Sequence, residues 1–144
     1  MSTDPAPAAI RAVVDAFYAA LGALDITAMA AVWRRAPGDL AVHPGWEPMA
    51  GWDAVDASWR AIFAGTQLLH VETQEVSLEV FGDFARHTCI ERTFAVSEGL
   101  RAAGLSVATK LLVRGPEGWR IALHHAGPVA GSTESADGGD DAGH

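Results

Sequence analysis

A histidine that precedes a proline is the first residue of this chain with the chemistry of a catalyst. His43 ends a short apolar run and stands directly before Pro44. An imidazole has an ordinary pKa of about 6.5, so it can accept a proton near neutral pH. This chemistry is that of a general base. The alternative is a buried histidine that bonds to a backbone group and braces the loop.

Two adjacent histidines, His124 and His125, lie in a strand pattern near the end of the chain. The large apolar residues of this segment occupy the odd positions from 119 to 123, so alternation places His125 on their face. We therefore expect His125 to line a pocket. We expect His124 to lie on the surface or at a dimer interface.

Lys110 is a cation near the middle of the strand predicted at residues 105–114. A lysine that faces a pocket can bind a carboxylate, stabilise an enolate or form a Schiff base. The alternative is a solvated side chain, as for most lysines.

The strand predicted at residues 84–97 allows two orientations. In the first, Thr88 and Arg92 face inward, and Arg92 anchors an anion or forms a structural ion pair. The second buries the opposite set, which is His87, Cys89 and Glu91. The larger apolar residues favour the first orientation, which would place His87, Cys89 and His124 on the outer face.

Aromatic and aliphatic residues are expected to wall the pocket, as is usual for small-molecule sites. The candidates are Phe17, Trp33, Trp59 and Leu112. Trp46 lies in the loop after His43, where it predicts a lid over the pocket or a dimer contact. Trp33, Trp59 and Trp119 fall on apolar stripes and are expected mainly in the core.

Composition excludes several classes of function. The chain has 144 residues, which fits one domain, and a net charge of −8 with no basic stripe. Nucleic-acid phosphates require clustered Lys and Arg, so no nucleic-acid partner is expected. Cys89 is the single cysteine, which excludes an intrachain disulfide and a cysteine-rich zinc site.

Metal and cofactor motifs are missing from the sequence. His43, His125 and Glu91 would make a zinc set in principle, but no H-x-x-x-H spacing supports it. Gly-rich phosphate loops and a G-x-S-x-G elbow are also missing. We predict no metal and no cofactor.

Helical periodicity dominates the first half of the chain. Residues 5–24 carry apolar residues at spacings of three and four, after Asp4 and Pro5 as start signals. A second helix begins at Asp25, includes Trp33 and ends by Pro37. A short strand at 39–43 and a loop at 44–48 precede a third helix at 52–64.

The second half of the chain alternates as strands do. One strand includes residues 75–80, and others are expected at 84–97, 105–114 and 119–126, separated by Gly-containing turns. Helices followed by antiparallel strands predict an α+β domain over residues 1–130. Residues 131–144 are expected to be a disordered acidic tail. We find no signal peptide or membrane span, so a cytoplasmic protein without a membrane partner is expected.

Three segments carry a resemblance to a known superfamily. They read FYAALGALDITAMAAVW, LAVHPGWEPMAGWDAVDASWRAIF and VATKLLVRGPEGWRIALHHAGPV. Over residues 8–129 they resemble, in the right order, the NTF2-like superfamily, which includes SnoaL-like and ketosteroid-isomerase-like domains. The second and third segments are similar to a subgroup with a His-Pro-Gly loop. The resemblance implies a cone of three helices on a curved antiparallel sheet, and commonly a homodimer.

The resemblance also implies how the site departs from the isomerases. His43 stands where those enzymes place a proton-shuttling Asp, and Lys110 stands where they place an oxyanion-stabilising Asp. Their tyrosine corresponds to Phe17, while Tyr18 is expected to face elsewhere. A steroid-type isomerisation is therefore not expected.

Two functions remain open from the sequence. The first is a lyase, isomerase or cyclase acting on a small carbonyl or polyketide-like compound, with His43 as base and with Lys110 and His125 binding the developing anion. The second is a non-catalytic ligand-binding or dimeric assembly domain. Because this superfamily supports many functions on one fold, the fold does not choose between them.

Overall fold

The computed structural model describes residues 4–130 and 134–135, within which three helices precede most of the sheet. In chain order the elements are α1 (Ala6–Ala23), α2 (Ile26–Ala31), β1 (Leu40–Val42), β2 (Met49–Ala50), α3 (Trp52–Ala64), β3 (Leu68–Phe81), β4 (Phe84–Ser97), β5 (Leu100–Gly115), β6 (Gly118–Pro128) and β7 (Glu134–Ser135). The predicted α+β class, with helices packed on a curved sheet, is confirmed.

Helix α1 packs its apolar stripe against the sheet. Its start is fixed by Asp4, whose Oδ1 accepts a hydrogen bond from the Ala6 amide at 2.9 Å. It ends at Leu24, which adopts a left-handed conformation. By length and composition alone α1 is also long and apolar enough to cross a membrane, a test that the core helix of a soluble protein passes as well. Its buried face, which includes Ile10, Phe17 and Leu21, is also what a core helix requires.

Helix α2 is shorter than expected. Asp25 caps it by accepting from the Ala28 amide at 3.0 Å. It stops at Ala31, because the chain turns to hydrogen-bond with β6: Ile121 donates to Val32, and Arg34 donates to Ile121. Trp33 therefore lies outside the helix, fully buried beside the sheet.

The sheet has the order β2-β1-β6-β5-β4-β3, and β7 pairs with β5. All pairings are antiparallel except that of β1 with β6, which is parallel. This parallel pairing sets Val42 beside His125 and carries His43 to the sheet. β2 and β7 were not expected from the sequence. The other residues of the expected tail lie outside the described part of the chain.

Two bulges change which residues face the helices. The pairing of β3 with β4 skips Val76, and that of β5 with β6 skips Ala122. An extra residue in one strand reverses the alternation beyond it and bends the strand. Val76 is consequently exposed, while Leu69 before it and Leu78 after it both pack against the core.

Candidate functional site

A cavity of about 380 Å³ lies between the helices, the loop after β1 and the inner face of the sheet. Apolar residues such as Leu21, Trp59 and Ile62 form much of its wall. Three ionisable side chains also line it, namely His43, Glu91 and His124. Among the expected pocket residues, His43, Trp46 and Trp59 border this cavity. Phe17, Trp33 and Leu112 are instead fully buried in the core.

His43 is held by a short hydrogen-bonded chain to α3. Its Nε2 lies 2.8 Å from Ser58 Oγ, and Ser58 Oγ donates to the Val55 carbonyl at 2.7 Å. Because the serine has one proton and gives it to Val55, it must accept from His43. His43 therefore carries its proton on Nε2 and a lone pair on Nδ1.

The surroundings of His43 keep it neutral. The centre of its ring lies 4.5 Å from the ring centre of Trp59 and 5.2 Å from that of Trp46, and both contacts are edge-on. Burial lowers the pKa of His43 to about 4. Trp46 is 40% exposed in the loop beside it, at the rim of the cavity.

His124, and not His125, points inward. The bulge at Ala122 reverses the alternation of β6, so that His124 is buried on the inner face and His125 is exposed on the outer one. The expectation for this pair was therefore wrong. Burial, followed by the nearby Lys110, lowers the pKa of His124 well below its ordinary value. The centre of its ring lies 6.2 Å from the centre of the His43 ring.

The orientation expected for β4 was also wrong. His87, Cys89 and Glu91 are buried on the inner face, while Arg92 is exposed and Thr88 bonds to Thr109 on the other side of the sheet. The larger apolar residues do not decide the orientation here, because the inner face of β4 lies over a polar cluster. His87, Cys89 and His124 are thus not part of an outer dimer face.

Lys110 is fully buried in that polar cluster, behind the cavity wall. Its Nζ donates to Tyr18 Oη at 2.6 Å, and Tyr18 Oη donates to Glu91 Oε2 at 2.5 Å. Cys89 Sγ lies 3.2 Å from the same oxygen. Tyr18 thereby links a buried ammonium to a carboxylate that lines the cavity.

Burial sets the protonation of this cluster. It lowers the pKa of Lys110 to about 8, although the negative charge of Glu91 opposes the shift. Burial also raises the pKa values of Tyr18 and Cys89, so both stay protonated at neutral pH. The Lys110 ammonium lies 4.2 Å and 4.3 Å from the ring centres of Phe17 and Tyr18, which compensates part of its lost hydration.

A row of three basic side chains crosses the inner face of the sheet. His87, Lys110 and His124 are direct partners on β4, β5 and β6. His87 Nε2 lies 3.1 Å from Glu75 Oε1, and Arg11 pairs with the same carboxylate. Despite that partner, burial and then Lys110 lower the pKa of His87. His87 is therefore neutral, and it lies between the buried cluster and the surface carboxylate of Glu75.

Tyr18 and Ser58 were missed as site residues, and Glu91 was considered only as a metal ligand or as a residue buried in the second orientation of its strand. Tyr18 is four residues after Val14 and three before Leu21, so its helical spacing did place it at the edge of the buried stripe. Ser58 follows Val55 by three residues within α3, the spacing at which a hydroxyl reaches back to a carbonyl. Glu91 carried no signal beyond the alternation of β4.

The predicted residues do not assemble a metal site. His125 is on the opposite face from His43 and Glu91. Among residues 4–130, no group of three His, Cys, Asp or Glu side chains is placed to hold a metal ion.

Residues 10–131 match the SnoaL-like domain family. The fold is similar to the "putative dehydratase from the NTF2-like family" of Streptomyces avermitilis, with a TM-score of 0.82 and 28% identity over 90% of this chain and 99% of the other. It is also similar to the "putative calcium/calmodulin-dependent protein kinase type II association domain" of Thiobacillus denitrificans, with a TM-score of 0.75 and 31% identity over 83% and 94%.

A ketosteroid isomerase-like protein from Erwinia carotovora atroseptica shares the fold, with a TM-score of 0.78 at 16% identity over 90% of this chain and 99% of the other. No protein of curated function matches the sequence.

Proposed function

Because the chain belongs to the SnoaL-like domain family, we propose that it binds a small carbonyl compound and transfers a proton within it, as an isomerase or a lyase. The observation that carries this proposal is the pair of neutral imidazoles, His43 and His124, on the wall of one largely apolar cavity. The similarity to proteins described as a dehydratase and as ketosteroid isomerase-like supports the same class of reaction.

His43 is the proposed general base. With its proton fixed on Nε2 by Ser58, the Nδ1 lone pair takes a proton from the carbon next to the carbonyl group. The electron pair of that C–H bond forms a C=C bond to the carbonyl carbon, and the π electrons of the carbonyl group move to its oxygen to give an enolate. Return of the proton to another carbon completes an isomerisation, and loss of a leaving group from the neighbouring carbon completes a lyase reaction.

His124 takes the role that the sequence suggested for His125. A neutral imidazole N–H can hydrogen-bond to a developing oxyanion without bringing a charge into an apolar site. With 6.2 Å between their centres the two rings are neighbours, so one substrate lying along the cavity wall can contact both. Its Nδ1 is buried without a partner among the described residues, which favours the lone pair there and the proton on Nε2.

Lys110 has a supporting role in this proposal. Its ammonium is bonded to Tyr18 and does not border the cavity, so direct contact with the substrate and a Schiff base are not part of the proposal. Through Tyr18 it holds Glu91, which lines the cavity. Oε2 of Glu91 accepts from Tyr18, and among the described residues Oε1 accepts from none. That oxygen is available to a substrate hydroxyl group.

Hydrogen–deuterium exchange tests the proposed chemistry without the natural substrate. Cyclohexanone in D2O is followed by NMR for exchange at the carbon next to the carbonyl, with the native protein and with His43→Gln. We expect His43→Gln to reduce the protein-dependent rate by about 10²-fold or more. His70→Gln, at an exposed histidine outside the cavity, should leave the rate unchanged.

The pH profile identifies the base. Because burial lowers the pKa of His43 to about 4, the exchange rate should be flat at neutral pH and fall only below about pH 5. If His43→Gln exchanges hydrogen as fast as the native protein does, the proposed role of His43 is refuted. Retained binding of the ketone with no exchange in either protein points to a non-catalytic binding domain.

Assembly is the second candidate function, and the similarity to the association domain of Thiobacillus denitrificans favours it. The outer face of the sheet exposes apolar surface, including Val107, which is 42% exposed, and partly buried Ile90 and Leu123. We propose a cytoplasmic homodimer formed through this face. Light scattering after size exclusion should give twice the monomer mass for the native protein and the monomer mass for Val107→Glu.

A further inference from the structure

A second cavity, of about 630 Å³, shares no lining residue with the first. It lies between the segment that follows α2 and the turn that joins β5 to β6. Arg34 and Arg35 border it from the segment, and Arg120 borders it from β6. Three of the nine arginines of an acidic chain thus meet at one cavity, where Glu117 is the acidic side chain.

Two of these arginines have no carboxylate partner among the described residues. Arg34 donates to Asp39 Oδ1 at 2.8 Å and is neutralised by it. Arg120 donates from one terminal nitrogen to the Trp119 carbonyl, and no ion pair involves Arg35 or Arg120. Other arginines form their ion pairs with residues that do not line this cavity, as Arg114 does with Asp83. With Glu117 counted, the cavity retains a positive charge.

Two buried N–H groups at the cavity lack an acceptor. Trp33 is 0% exposed, and its Nε1 has no hydrogen-bond partner among the described residues. The Nε atom of Arg120 is also buried and has no hydrogen-bond partner among the described residues. A buried donor without an acceptor costs free energy, which a bound acceptor recovers. Both residues line this cavity.

The segment that carries Arg34 and Arg35 is rigidly held. Asp39, which is buried, accepts from the amides of Arg35 and Ala36 at 2.8 Å and 3.1 Å in addition to Arg34. The Arg34 amide also donates to the Ile121 carbonyl at 2.8 Å. The guanidinium groups therefore project from a backbone whose position does not depend on a ligand.

We propose that this cavity is a second binding site, for the oxyanion of a small molecule, either a carboxylate or a phosphate. Arg35 and Arg120 supply the charge and paired N–H donors that such groups prefer. Trp33 and Arg120 line the same cavity, and an anion that reaches the Trp33 indole N–H or the Arg120 Nε would supply the missing acceptor. The size suits a small molecule.

Titration by ¹H–¹⁵N NMR tests the proposal, with the assigned indole N–H signal of Trp33 as the reporter. Inorganic phosphate and benzoate are added separately at constant ionic strength. The variant is Arg35→Gly, because Arg35 has a φ of 64° and glycine accepts that conformation without strain. The control is Arg92→Ala, at an exposed arginine on the outer face of the sheet.

We expect a saturable shift of the Trp33 signal, and a dissociation constant raised about tenfold or more by Arg35→Gly but unchanged by Arg92→Ala. Saturation by phosphate alone identifies a phosphate ester as the class of ligand, and saturation by benzoate alone identifies a carboxylate. Saturation by both anions shows that the site binds an oxyanion of either class. No saturable shift with either anion, or equal affinities in the two variants, overturns the proposal.

Discussion

Replacement of Lys110 by methionine tests the buried cluster directly. Methionine is unbranched like lysine, one atom shorter and uncharged, so the variant removes the ammonium while it fills most of the volume. In the native protein Nζ is fully buried and donates to Tyr18. The informative quantity is how the free energy of unfolding varies with pH in the two proteins.

The pKa of Lys110 gives the magnitude and the sign. It falls from 10.5 to about 8 on folding. Between these values the unfolded chain still binds a proton that the folded chain has lost, so the native protein becomes more stable as the pH rises. A difference of this size corresponds to about 3 kcal/mol over the whole window. Below pH 8 both states are protonated and the contribution to the slope vanishes.

Urea unfolding at several values between pH 7 and pH 10.5 measures this effect. Cys89 and Tyr18 have raised pKa values and act in the opposite direction, but they are present in both proteins. The stability of the native protein minus that of Lys110→Met should therefore increase by about 3 kcal/mol across the window. Circular dichroism checks that the variant is folded. A difference that stays constant with pH refutes the burial of the ammonium.

Three further substitutions test individual contacts. Tyr18→Phe should destabilise the protein by about 3 kcal/mol in urea unfolding, because it leaves a buried ammonium without its acceptor; a change below about 1 kcal/mol contradicts the link to Lys110. Asp39→Ala should lower the free energy of unfolding by about 3 kcal/mol, since it removes three hydrogen bonds at a buried carboxylate. An unchanged urea midpoint would show that the segment that carries Arg34 and Arg35 does not depend on Asp39. Trp46→Ala should weaken ketone binding but change stability by less than about 1 kcal/mol, because the side chain is partly exposed at the cavity rim; equal affinity in fluorescence titration argues against a lid.

The fold was predictable because its signals are local. Pro5, Asp25 and the turns at Gly82 and Gly118 mark the ends of elements, and α3 and β4 begin and end where the periodicity placed them. The parallel pairing of β1 with β6 was not predictable, since it joins residues about 80 positions apart in the sequence and leaves no periodic trace. β2, with two residues, is too short to produce a pattern.

The site was only partly predictable. His43 lies at the cavity because a strand end and a proline define its place. His124 was assigned to the wrong face because one unpaired residue in β6 reverses the alternation on which the assignment rested. Lys110 was expected to contact a substrate, whereas its ammonium bonds to Tyr18. Contacts between helix and sheet of this kind depend on the packing angle, which no single segment encodes.

The bulge at Ala122 also has an evolutionary consequence. Ile121 pairs with Leu112 and Leu123 pairs with Leu111, so the two halves of β6 are already in register with β5 on either side of the extra residue. A deletion of this one codon would join the halves and keep His124 opposite Lys110. Loss of this residue is therefore expected to leave the same histidine on the inward face. We expect a relative with one residue fewer here to differ in the curvature of the strand and to keep the chemistry of the cavity.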